Sequence, residues 1–520
     1  TITGLSRSAG PVGSTVTISG SAFKSATSVT FNGTPARFHV MSSNELNTVV
    51  PQAATSGPIA VQNPDGEAVS SAGFTVQPNI VLILTDDQRF DEMAHMPTVR
   101  TTLANKGMTF KKGFVVNSLC CPSRSTILTG EYSHTTGVYK NAPPNGGFDT
   151  FTQTGDDQST IATWLQTAGY RTALVGKYLN GYGPTQGTYV PPGWDVWKAL
   201  TLQGAEGGGD GTFGYYDYSM SIDGAPRSYG DTTADYSTDV LAADAINFIQ
   251  RTPSDKPLFL FFAPRAPHAP AIPASRDADS CPNLAPNRPP NYDEPVVVDK
   301  PAYIQAIPPW SSSLSAREDA FWLRQCQSLV AVDQAVGNIV SALSQAKRLS
   351  NTLILFASDN GLAFGEHRWQ GKIVPYEESI RIPVIVRYDP LIKQGGQTNS
   401  DFVLNLDFAP TFAAAAGVDA PGAEGTSMLP LLDGSATSWR RDFLVEFADG
   451  PAKVPGFCAV RNQQYLYVEY STGEQELYDL QIDPYETLNR AYRPGYASVR
   501  NTMYKRMLQL CSPPPPGFTP

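Results

Sequence analysis

The pattern of hydrophobic and polar positions changes once along this 520-residue chain, near residue 78. Before that point, short runs in which apolar and polar residues alternate, such as residues 15–18 and 28–31, are separated by turn pairs such as Asn32-Gly33. Alternation with a period of two, bounded by glycine and asparagine, is typical of half-buried strands joined by hairpins. We therefore expect residues 1–78 to form an all-β sandwich of the immunoglobulin kind.

After residue 78, continuous apolar runs of strand length alternate with stretches of helical periodicity. The predicted strands are residues 80–84, 171–175, 257–262 and 352–356, and the predicted helices are residues 97–106, 159–168 and 319–349. Alternation of strand and helix is the pattern of a parallel sheet covered by helices. For residues 79–439 we therefore expect an α/β domain in which a mostly parallel sheet is sandwiched by helices.

Two later segments depart from this alternation. From about residue 440 the chain is rich in aromatic strands, such as residues 465–470, and a helix is expected at residues 497–511. We assign residues 440–520 to a small C-terminal α+β subdomain. The proline-rich run 264–309 is too long for an ordinary loop, so we expect it to shape a site or to wrap the surface.

The composition argues against two classes of function. The net charge of −10 and the isoelectric point of about 5.1 disfavour non-specific binding to nucleic acid, although a locally basic pocket could still take an anionic substrate. No run approaches the roughly 18 consecutive apolar residues of a membrane span. We therefore expect neither a nucleic-acid partner nor a membrane span.

Polar residues follow the ends of the predicted strands, where parallel sheets bind their ligands. They are, in chain order, Asp86, Asp87, Lys177, His268, Asp359 and Asn360. Each of them alone could be a turn residue, a helix cap or a surface side chain, but together they predict one site at the carboxyl edge of the sheet. The carboxylate and amide oxygens suit a hard cation such as Ca²⁺ or Mg²⁺. Five histidines are too few to favour a histidine-rich zinc pair.

Residues 118–130 form the stretch around which this site is organised. Pro122 suits a first helical position and Gly130 suits a helix end. Cys120 is thus predicted at a helix N-terminus, where free N–H groups favour an anion. Arg124 follows one turn later on the same side. Taken alone, the stretch is compatible with a buried cysteine pair at the start of a helix.

The motif Cys-x-Pro-Ser-Arg that begins at Cys120, followed by Leu-Thr-Gly ending at Gly130, resembles the signature of the type I sulfatases. The resemblance implies an alkaline-phosphatase-like fold and a sulfuric ester hydrolase. It also implies that a maturation enzyme oxidises Cys120 to formylglycine. The hydrate of that aldehyde would attack sulfur, and sulfate would leave as the aldehyde reforms.

Roles for single residues follow from the same resemblance. The ligands of Ca²⁺, or alternatively Mg²⁺, would be Asp86, Asp87, Cys120, Asp359 and Asn360. Arg124 would brace the aldehyde hydrate, and His268 would protonate the departing alcohol. Lys177 and Lys372 would hold the sulfate oxygens.

One departure from the arylsulfatase pattern bears on the substrate. Many arylsulfatases have Lys-x-His after this strand, whereas here Lys177 is followed by Tyr-Leu-Asn, so we expect Asn180 to replace the histidine in binding substrate. His134 is a second expected substrate contact. The Lys-Tyr-Leu-Asn run is similar to the N-acetylglucosamine-6-sulfatases, and the likeness spans residues 79–511. The expected substrate is therefore a sugar O-sulfate, first of all N-acetylglucosamine-6-sulfate. Residues 1–78 resemble an IPT/TIG domain.

Three alternatives stay open. An arylsulfatase would take small phenolic sulfates, and a phosphonate or phosphate ester hydrolase of the same superfamily would tend to have histidine where Asn360 stands. Without maturation of Cys120, the chain would be a non-enzymatic binder of sulfated glycans. The aromatic stretch 213–218 could stack on a sugar ring or could belong to the core.

The cysteines bear on the compartment. With Cys120 assigned to catalysis, the remaining ones are compatible with two disulfides and one buried thiol, in a pairing that the sequence leaves open: Cys121, Cys281, Cys326, Cys458 and Cys511. No signal peptide is visible at Thr1, which we interpret as a processed form. We expect a secreted or periplasmic protein, free or at the cell surface.

Overall fold

Two facing sheets build the N-terminal part of the chain in the computed structural model, which describes residues 1–183, 188–201, 214–449 and 454–519. The strands are β1 Ile2–Leu5, β2 Ala9–Pro11, β3 Thr15–Gly20, β4 Ser28–Phe31, β5 Thr34–Ala36, β6 Phe38–Val40, β7 Glu45–Val49, β8 Ile59–Asn63, β9 Gly66–Val69 and β10 Thr75–Gln77. They form the sheets β1-β3-β7-β6 and β5-β4-β8-β9 and the pair β10-β2.

A single apolar core fills the space between these sheets, with Ile18 of β3, Leu46 of β7 and Phe31 of β4 all buried in it. Asn32 and Gly33 connect β4 to β5 with φ angles of 43° and 81°, as expected of a tight hairpin. The prediction of an all-β sandwich is therefore confirmed.

A ten-stranded mixed sheet forms the centre of the molecule, in the order β16-β15-β14-β13-β17-β11-β18-β21-β12-β22. Its strands are β11 Asn79–Thr85, β12 Met108–Phe114, β13 Arg171–Gly176, β14 Val196–Leu200, β15 Ser219–Ile222, β16 Ala225–Ser228, β17 Leu258–Ala263, β18 Thr352–Ser358, β21 Arg381–Arg387 and β22 Gln397–Leu404; β19 Ala363–Phe364 and β20 Gln370–Gly371 make a separate small pair. Strands β14, β13, β17, β11 and β18 are parallel, as predicted, whereas β21 runs antiparallel to both of its neighbours.

Helices cover both faces of this sheet. They are α1 Pro97–Thr102, α2 Cys120–Thr129, α3 Ser133–Thr136, α4 Gly147–Gln153, α5 Ile161–Thr167, α6 Ser237–Arg251, α7 Ala302–Gln305, α8 Ser312–Gln345, α9 Glu377–Ile380, α10 Phe408–Ala416, α11 Leu429–Leu432 and α12 Ala497–Leu510. In β11, Leu82 joins the apolar cluster under α2, α5 and α10, whereas Ile83 joins the cluster under α6 and α8. This alternation confirms the predicted sheet between two helical layers.

Two predicted helices have other limits than expected. The helix predicted at 319–349 begins at Ser312, because Ser311 caps it by accepting a hydrogen bond from Leu314 N at 3.2 Å. The helix predicted at 97–106 ends at Thr102 and continues as a 3₁₀ turn to Lys106. In the aromatic stretch, Tyr215 and Tyr218 are buried in the core, whereas Phe213 lies outside the described residues.

The C-terminal segment forms an antiparallel sheet of β23 Asp442–Phe447, β24 Phe457–Asn462, β25 Tyr465–Tyr470 and β26 Gln475–Asp479, packed against α12. A disulfide joins Cys458 of β24 to Cys511 after α12, and another joins Cys281 to Cys326 of α8. Cys121 is a buried free thiol, so the prediction of two disulfides and one thiol is confirmed. Among the described residues, no helix has the length and apolar character needed to cross a membrane.

Candidate active site

The ends of β11 and β18 bring the predicted acids together. The two strands pair in parallel with Thr85 opposite Ser358, so that the residues that follow, Asp86, Asp87 and Asp359, lie at the same edge. Asp87 has a φ of 64°, which turns its backbone so that its N–H donates to Asp359 Oδ1 at 3.1 Å. All three carboxylates are buried.

Helix α2 presents Cys120 to these carboxylates. The helix begins at Cys120 and ends at Gly130, whose φ of 77° allows the left-handed turn. Pro122 is therefore the third helical residue and not the first; it is tolerated because N–H groups in the first turn have no helical partner. The Cys120 Sγ lies 3.6 Å from Asp86 Oδ1 and 4.0 Å from Asp87 Oδ1.

Arg124 connects three strand ends from its position one turn along α2. Its Nε donates to Asp359 Oδ2 at 2.7 Å, and its Nη1 donates to the Lys177 carbonyl at 2.8 Å. Its Nη2 lies 3.7 Å from Asp86 Oδ2. The guanidinium is buried and thus fixes the geometry of the acids around Cys120.

Two lysines point into the same cluster. Lys177 follows β13 and its Nζ donates to Asp86 Oδ2 at 2.6 Å. Lys372 Nζ hydrogen-bonds Asp87 Oδ1 and lies 2.7 Å from Cys120 Sγ. The next residue, Ile373, has a φ of 80° and donates its N–H to Ser118 O at 3.3 Å, which ties the lysine loop to the segment before α2.

His268 reaches the cluster from the proline-rich segment. Its Nε2 lies 3.6 Å from Asp87 Oδ2, and its Nδ1 lies 2.8 Å from Ala269 O. Arg265 Nη2 is 3.2 Å from the same Nδ1, so this buried arginine positions the ring. Burial and the positive charge of Arg265 lower the pKa of His268 to about 4. Sequence reasoning missed Arg265; its only signal was its place three residues before the histidine.

Opposite charges are paired closely within the site. Burial by itself raises the pKa of the Asp86 carboxyl, but Lys177 and the other nearby cations lower it well below its usual range. Burial lowers the pKa of the Lys372 ammonium, but Asp87 raises it well above its usual range. Burial raises the pKa of the Cys120 thiol to about 12. The site therefore combines anionic oxygens that suit a cation with ammonium groups that suit an anion.

The donor set at the strand ends fits a hard divalent cation. Four side chains each offer one ligand atom, and these atoms lie within 4.8 Å of one another: a carboxylate oxygen of Asp86, one of Asp87, Sγ of Cys120 and a ring nitrogen of His268. Asn360 Nδ2 donates to Asp87 Oδ1 at 2.7 Å, and its buried Oδ1 has no hydrogen-bond partner among the described residues. Three carboxylates and a spare amide oxygen are ligands that Ca²⁺ and Mg²⁺ prefer. Asp359 is joined to this group by hydrogen bonds from Arg124 Nε and from the backbone N–H of Asp87. His268, which was predicted as the proton donor, also lies among the potential ligands.

Of the two further expected substrate contacts, His134 and Asn180, the first is held by two glutamates. Its Nδ1 is 3.0 Å from Glu446 Oε1 and its Nε2 is 3.7 Å from Glu424 Oε1, so none of its hydrogen bonds or ion pairs reaches the cluster. The ring ties α3 to β23, and its role as a substrate contact stays a prediction. Asn180 is buried, and its carbonyl accepts from Phe148 N at 2.7 Å, which fixes the loop after Lys177.

Three family models match the chain. The model described as Sulfatase matches residues 78–418, which is more than half of the chain. The model described as N-sulphoglucosamine sulphohydrolase, C-terminal, matches residues 365–512, and the IPT/TIG domain model matches residues 1–77.

Individual proteins agree with these models. The N-acetylglucosamine-6-sulfatase of Homo sapiens is 32% identical over 489 residues, covering 85% of this chain and 86% of that protein. The arylsulfatase of Volvox carteri is 31% identical over 499 residues, covering 84% of this chain and 75% of that protein. A solved structure in complex with its substrate D-glucosamine-2-N,6-O-disulfate superposes with a TM-score of 0.71 at 26% identity, covering 84% of this chain and 98% of that one.

Proposed function

This chain belongs to the sulfatase family and is a sulfuric ester hydrolase, and we propose that it removes the 6-O-sulfate of N-acetylglucosamine from the end of a sugar chain. The observation that carries the site assignment is the position of Cys120 beside Lys372 and beside the buried carboxylates that follow β11, of which Asp86 binds Lys177. The substrate rests on the names of relatives: an N-acetylglucosamine-6-sulfatase aligns along the chain, and a structural neighbour is in complex with its substrate D-glucosamine-2-N,6-O-disulfate.

In this proposal Cys120 is matured to formylglycine by a separate enzyme. The hydrated aldehyde supplies the nucleophile toward sulfur and a route for sulfate to leave. Arg124 supports that position, because its guanidinium is fixed between Asp359 and the Lys177 carbonyl beside Cys120. A mass spectrum of the peptide that contains Cys120 tests the maturation: unmodified cysteine alone in fully active protein would contradict it.

Asp86, Asp87, Asp359 and Asn360 would hold one divalent cation, Ca²⁺ before Mg²⁺, together with the group at position 120. Such a cation polarises a sulfate oxygen when it is bound. The unpartnered Oδ1 of Asn360 and the all-oxygen character of these four side chains support this assignment.

Lys177 and Lys372 would bind the remaining sulfate oxygens. Lys372 Nζ lies 2.7 Å from Cys120 Sγ, and Lys177 Nζ binds Asp86, the carboxylate that lies 3.6 Å from the same sulfur. His268 would give a proton to the departing sugar oxygen from Nε2, which faces Asp87 at the more exposed side of the cluster. Because burial and Arg265 hold the pKa of the ring at about 4 without substrate, this role requires that the negative charge of the bound sulfate ester raise that pKa. Arg265 would act as a positioning residue through the His268 ring.

The comparison that tests the substrate is kcat/KM for sulfate release from N-acetylglucosamine-6-sulfate and from a nitrophenyl sulfate. We expect the sugar ester to be preferred, because contacts remote from sulfur raise kcat on the true substrate. A clear preference for the aryl ester with no release from the sugar would contradict the sugar assignment. That result would favour the arylsulfatase alternative, which the identity to the Volvox carteri enzyme supports.

The two disulfides favour an oxidising compartment for this protein. We therefore propose that it is secreted or periplasmic. Detection of the protein in the culture medium or the periplasmic fraction, with both disulfides formed, would support the proposal, and its recovery from cytosol alone would contradict it.

A further inference from the structure

A second buried group of titratable side chains lies outside the candidate active site. Ligand atoms of His367, Glu378 and Glu486 lie within 4.8 Å of one another, and Asn291 and Glu294 adjoin them. None of these five residues is more than 8% exposed. The group joins three separate parts of the chain: the proline-rich segment, the segment between β18 and β21, and the C-terminal subdomain.

The His367 ring is oriented as metal-binding histidines are. Its Nδ1 lies 2.7 Å from Glu294 Oε2, so this carboxylate accepts the Nδ1 proton and leaves a lone pair on Nε2. Asn291 Nδ2 lies 3.2 Å from this Nε2 and donates to Glu378 Oε1 at 2.9 Å. An ion at Nε2 would therefore displace this N–H and turn the amide so that its oxygen faces the ion. A carboxylate behind the ring is the usual partner that fixes the tautomer of a metal-bound histidine.

Three buried oxygens of this group have no hydrogen-bond partner among the residues that the structure describes: Asn291 Oδ1, Glu378 Oε2 and Glu486 Oε1. The second oxygen of Glu486 is satisfied, because it accepts from Glu377 N at 3.1 Å. Buried oxygens without a partner are costly, and buried carboxylates without a counter-charge are more so. The two glutamates with such oxygens belong to the group whose ligand atoms lie within 4.8 Å of one another, so this group lacks a cation or protons.

Nearby cations meet this demand only in part. Lys300 Nζ lies 3.7 Å from Glu294 Oε2 and hydrogen-bonds the backbone carbonyl of Glu486. The positive charge of Arg89 acts on Glu378 and lowers its pKa in part. Burial, followed by the charge of Glu366, raises the pKa of Glu378 to about 7. Burial and the charge of Glu378 also raise the pKa of Glu486. Either bound protons or a metal ion must supply the balance.

We propose that His367, Glu378, Glu486 and Asn291 bind one divalent transition-metal ion, Zn²⁺ or Mn²⁺, at a site distinct from that of Cys120. One imidazole nitrogen with carboxylate oxygens suits these ions, whereas Ca²⁺ prefers oxygen ligands alone. The ion joins the proline-rich segment and the C-terminal subdomain to the loop that carries Lys372. Its role is to position that loop, and it takes no part in bond cleavage.

The first experiment measures metal in the full chain after incubation with Zn²⁺ or Mn²⁺ and removal of unbound ions. We expect about one equivalent of transition metal in the unmodified protein and its loss in Glu486→Gln and His367→Gln. Glu476→Gln is the matched control, since Glu476 is a buried acid of the same subdomain that is held by Tyr376 and Tyr470. It should retain the metal.

A second measurement uses only the unmodified protein, so its result is independent of whether the variants fold. Anomalous diffraction at the Zn or Mn edge from crystals of the unmodified protein should give a peak between His367, Glu378 and Glu486. In solution, 1,10-phenanthroline should lower the midpoint of thermal unfolding, and Zn²⁺ or Mn²⁺ but not Ca²⁺ should restore it. A protein that takes up no transition metal, or that shows a peak only beside Cys120, would overturn the proposal and leave shared protons as the balance.

Discussion

At the scale of single residues, backbone strain lies next to the charged groups of the site. Asp87 and Ile373 have φ angles of 64° and 80°, and a β-branched residue such as isoleucine rarely adopts such a value. Ile373 directly follows Lys372, whose Nζ meets both Asp87 and Cys120. The surrounding contacts thus maintain costly conformations at the point where lysine, carboxylate and cysteine meet.

Replacing Cys120 by serine tests whether position 120 carries the reaction. We expect Cys120→Ser to fold and to lose turnover by roughly 10³-fold or more, because serine has no second hydroxyl to expel sulfate. Sulfate trapped on the introduced serine should be visible by mass spectrometry after one turnover. The control is Cys121→Ala, which removes the neighbouring buried thiol and should leave turnover intact. Normal turnover in Cys120→Ser would exclude the mechanism.

Replacing Asp86 by asparagine tests the calcium assignment. Asp86 is the carboxylate that contacts Cys120, Lys177 and Arg124. We expect Asp86→Asn to lose bound Ca²⁺ in elemental analysis and to lose activity by about 10²-fold or more. Asp333→Asn is a matched buried control, since Asp333 caps α1 by accepting from Thr98 N and Val99 N. Full calcium content in Asp86→Asn would contradict the assignment.

His134 contributes to the stability of the fold through its contacts with Glu424 and Glu446. Burial lowers the pKa of its ring, but hydrogen bonds to Glu424 and Glu446 raise it to about 9 in the folded state. An unfolded histidine titrates near pH 6.5. The stabilisation is therefore full below about pH 6.5 and falls as pH rises toward 9, by up to about 1 kcal/mol per pH unit.

The measurement is the thermal unfolding midpoint of the unmodified protein and of His134→Gln between pH 6 and pH 9. We expect the difference between the two proteins to shrink as pH rises, because the unmodified protein gives up its extra proton. His39→Gln, on the exposed surface of the N-terminal part, should show no such convergence. A constant difference across this range would refute the assigned ion pair.

At the scale of elements, the sequence predicts the strands that have a continuous apolar run and misses features that depend on contacts between distant parts of the chain. The apolar runs of β11 and β18 are continuous, so the sequence predicts both strands. The acids that directly follow these strands are thereby predicted at the same edge of the sheet. Strands β12 and β21 were not predicted, because Lys111, Lys112 and Gly113 interrupt the apolar run of β12 and Pro383 interrupts that of β21. His367 was missed because its partner Glu294 lies 73 residues away in the chain. Arg265 was missed because only its place three residues before His268 connects the two in the sequence.

The end of β13 offers a prediction about an element and the site together. Gly176 has a φ of 126°, and a Cβ added there would lie 2.0 Å from Ala263 O of β17. Gly176→Ala should therefore separate the ends of β13 and β17 and displace Lys177, with a loss of stability of about 1–3 kcal/mol and a lower kcat. The control is Gly169→Ala. Gly169 has a φ of 88°, but an added Cβ would meet no described atom within 4 Å. This variant should therefore lose only the stability that a positive φ costs an alanine, and its kcat should stay unchanged. Equal kinetics in the two variants would contradict this account.

At the scale of the whole molecule, the N-terminal sandwich has its own core and is joined to the sulfatase part in part by hydrogen bonds. Gln52 Nε2 donates to Ser350 Oγ at 2.8 Å and to Lys347 O at 3.3 Å, after the end of α8. A cavity of about 590 Å³ lies between the two parts, lined on one side by Ser56 and on the other by Tyr388. The interface is therefore incompletely packed, and the site residues all lie beyond it in the sequence.

We therefore expect a chain that begins at Asn79, the first residue of β11, to fold and to retain turnover of a small soluble sulfate ester. The midpoint of thermal unfolding should fall, because removal of the sandwich exposes the surface under Gln52 and removes the hydrogen bond from Gln77 to Ala168. Gln52→Ala in the full chain is the matched control for the interface and should show a smaller shift in the same direction. Circular dichroism checks folding, and sulfate release measures turnover. A truncated protein that folds but has lost turnover of the soluble ester would mean that the sandwich contributes to the site, because the core strands that carry Asp86, Lys177 and Asp359 would still be present.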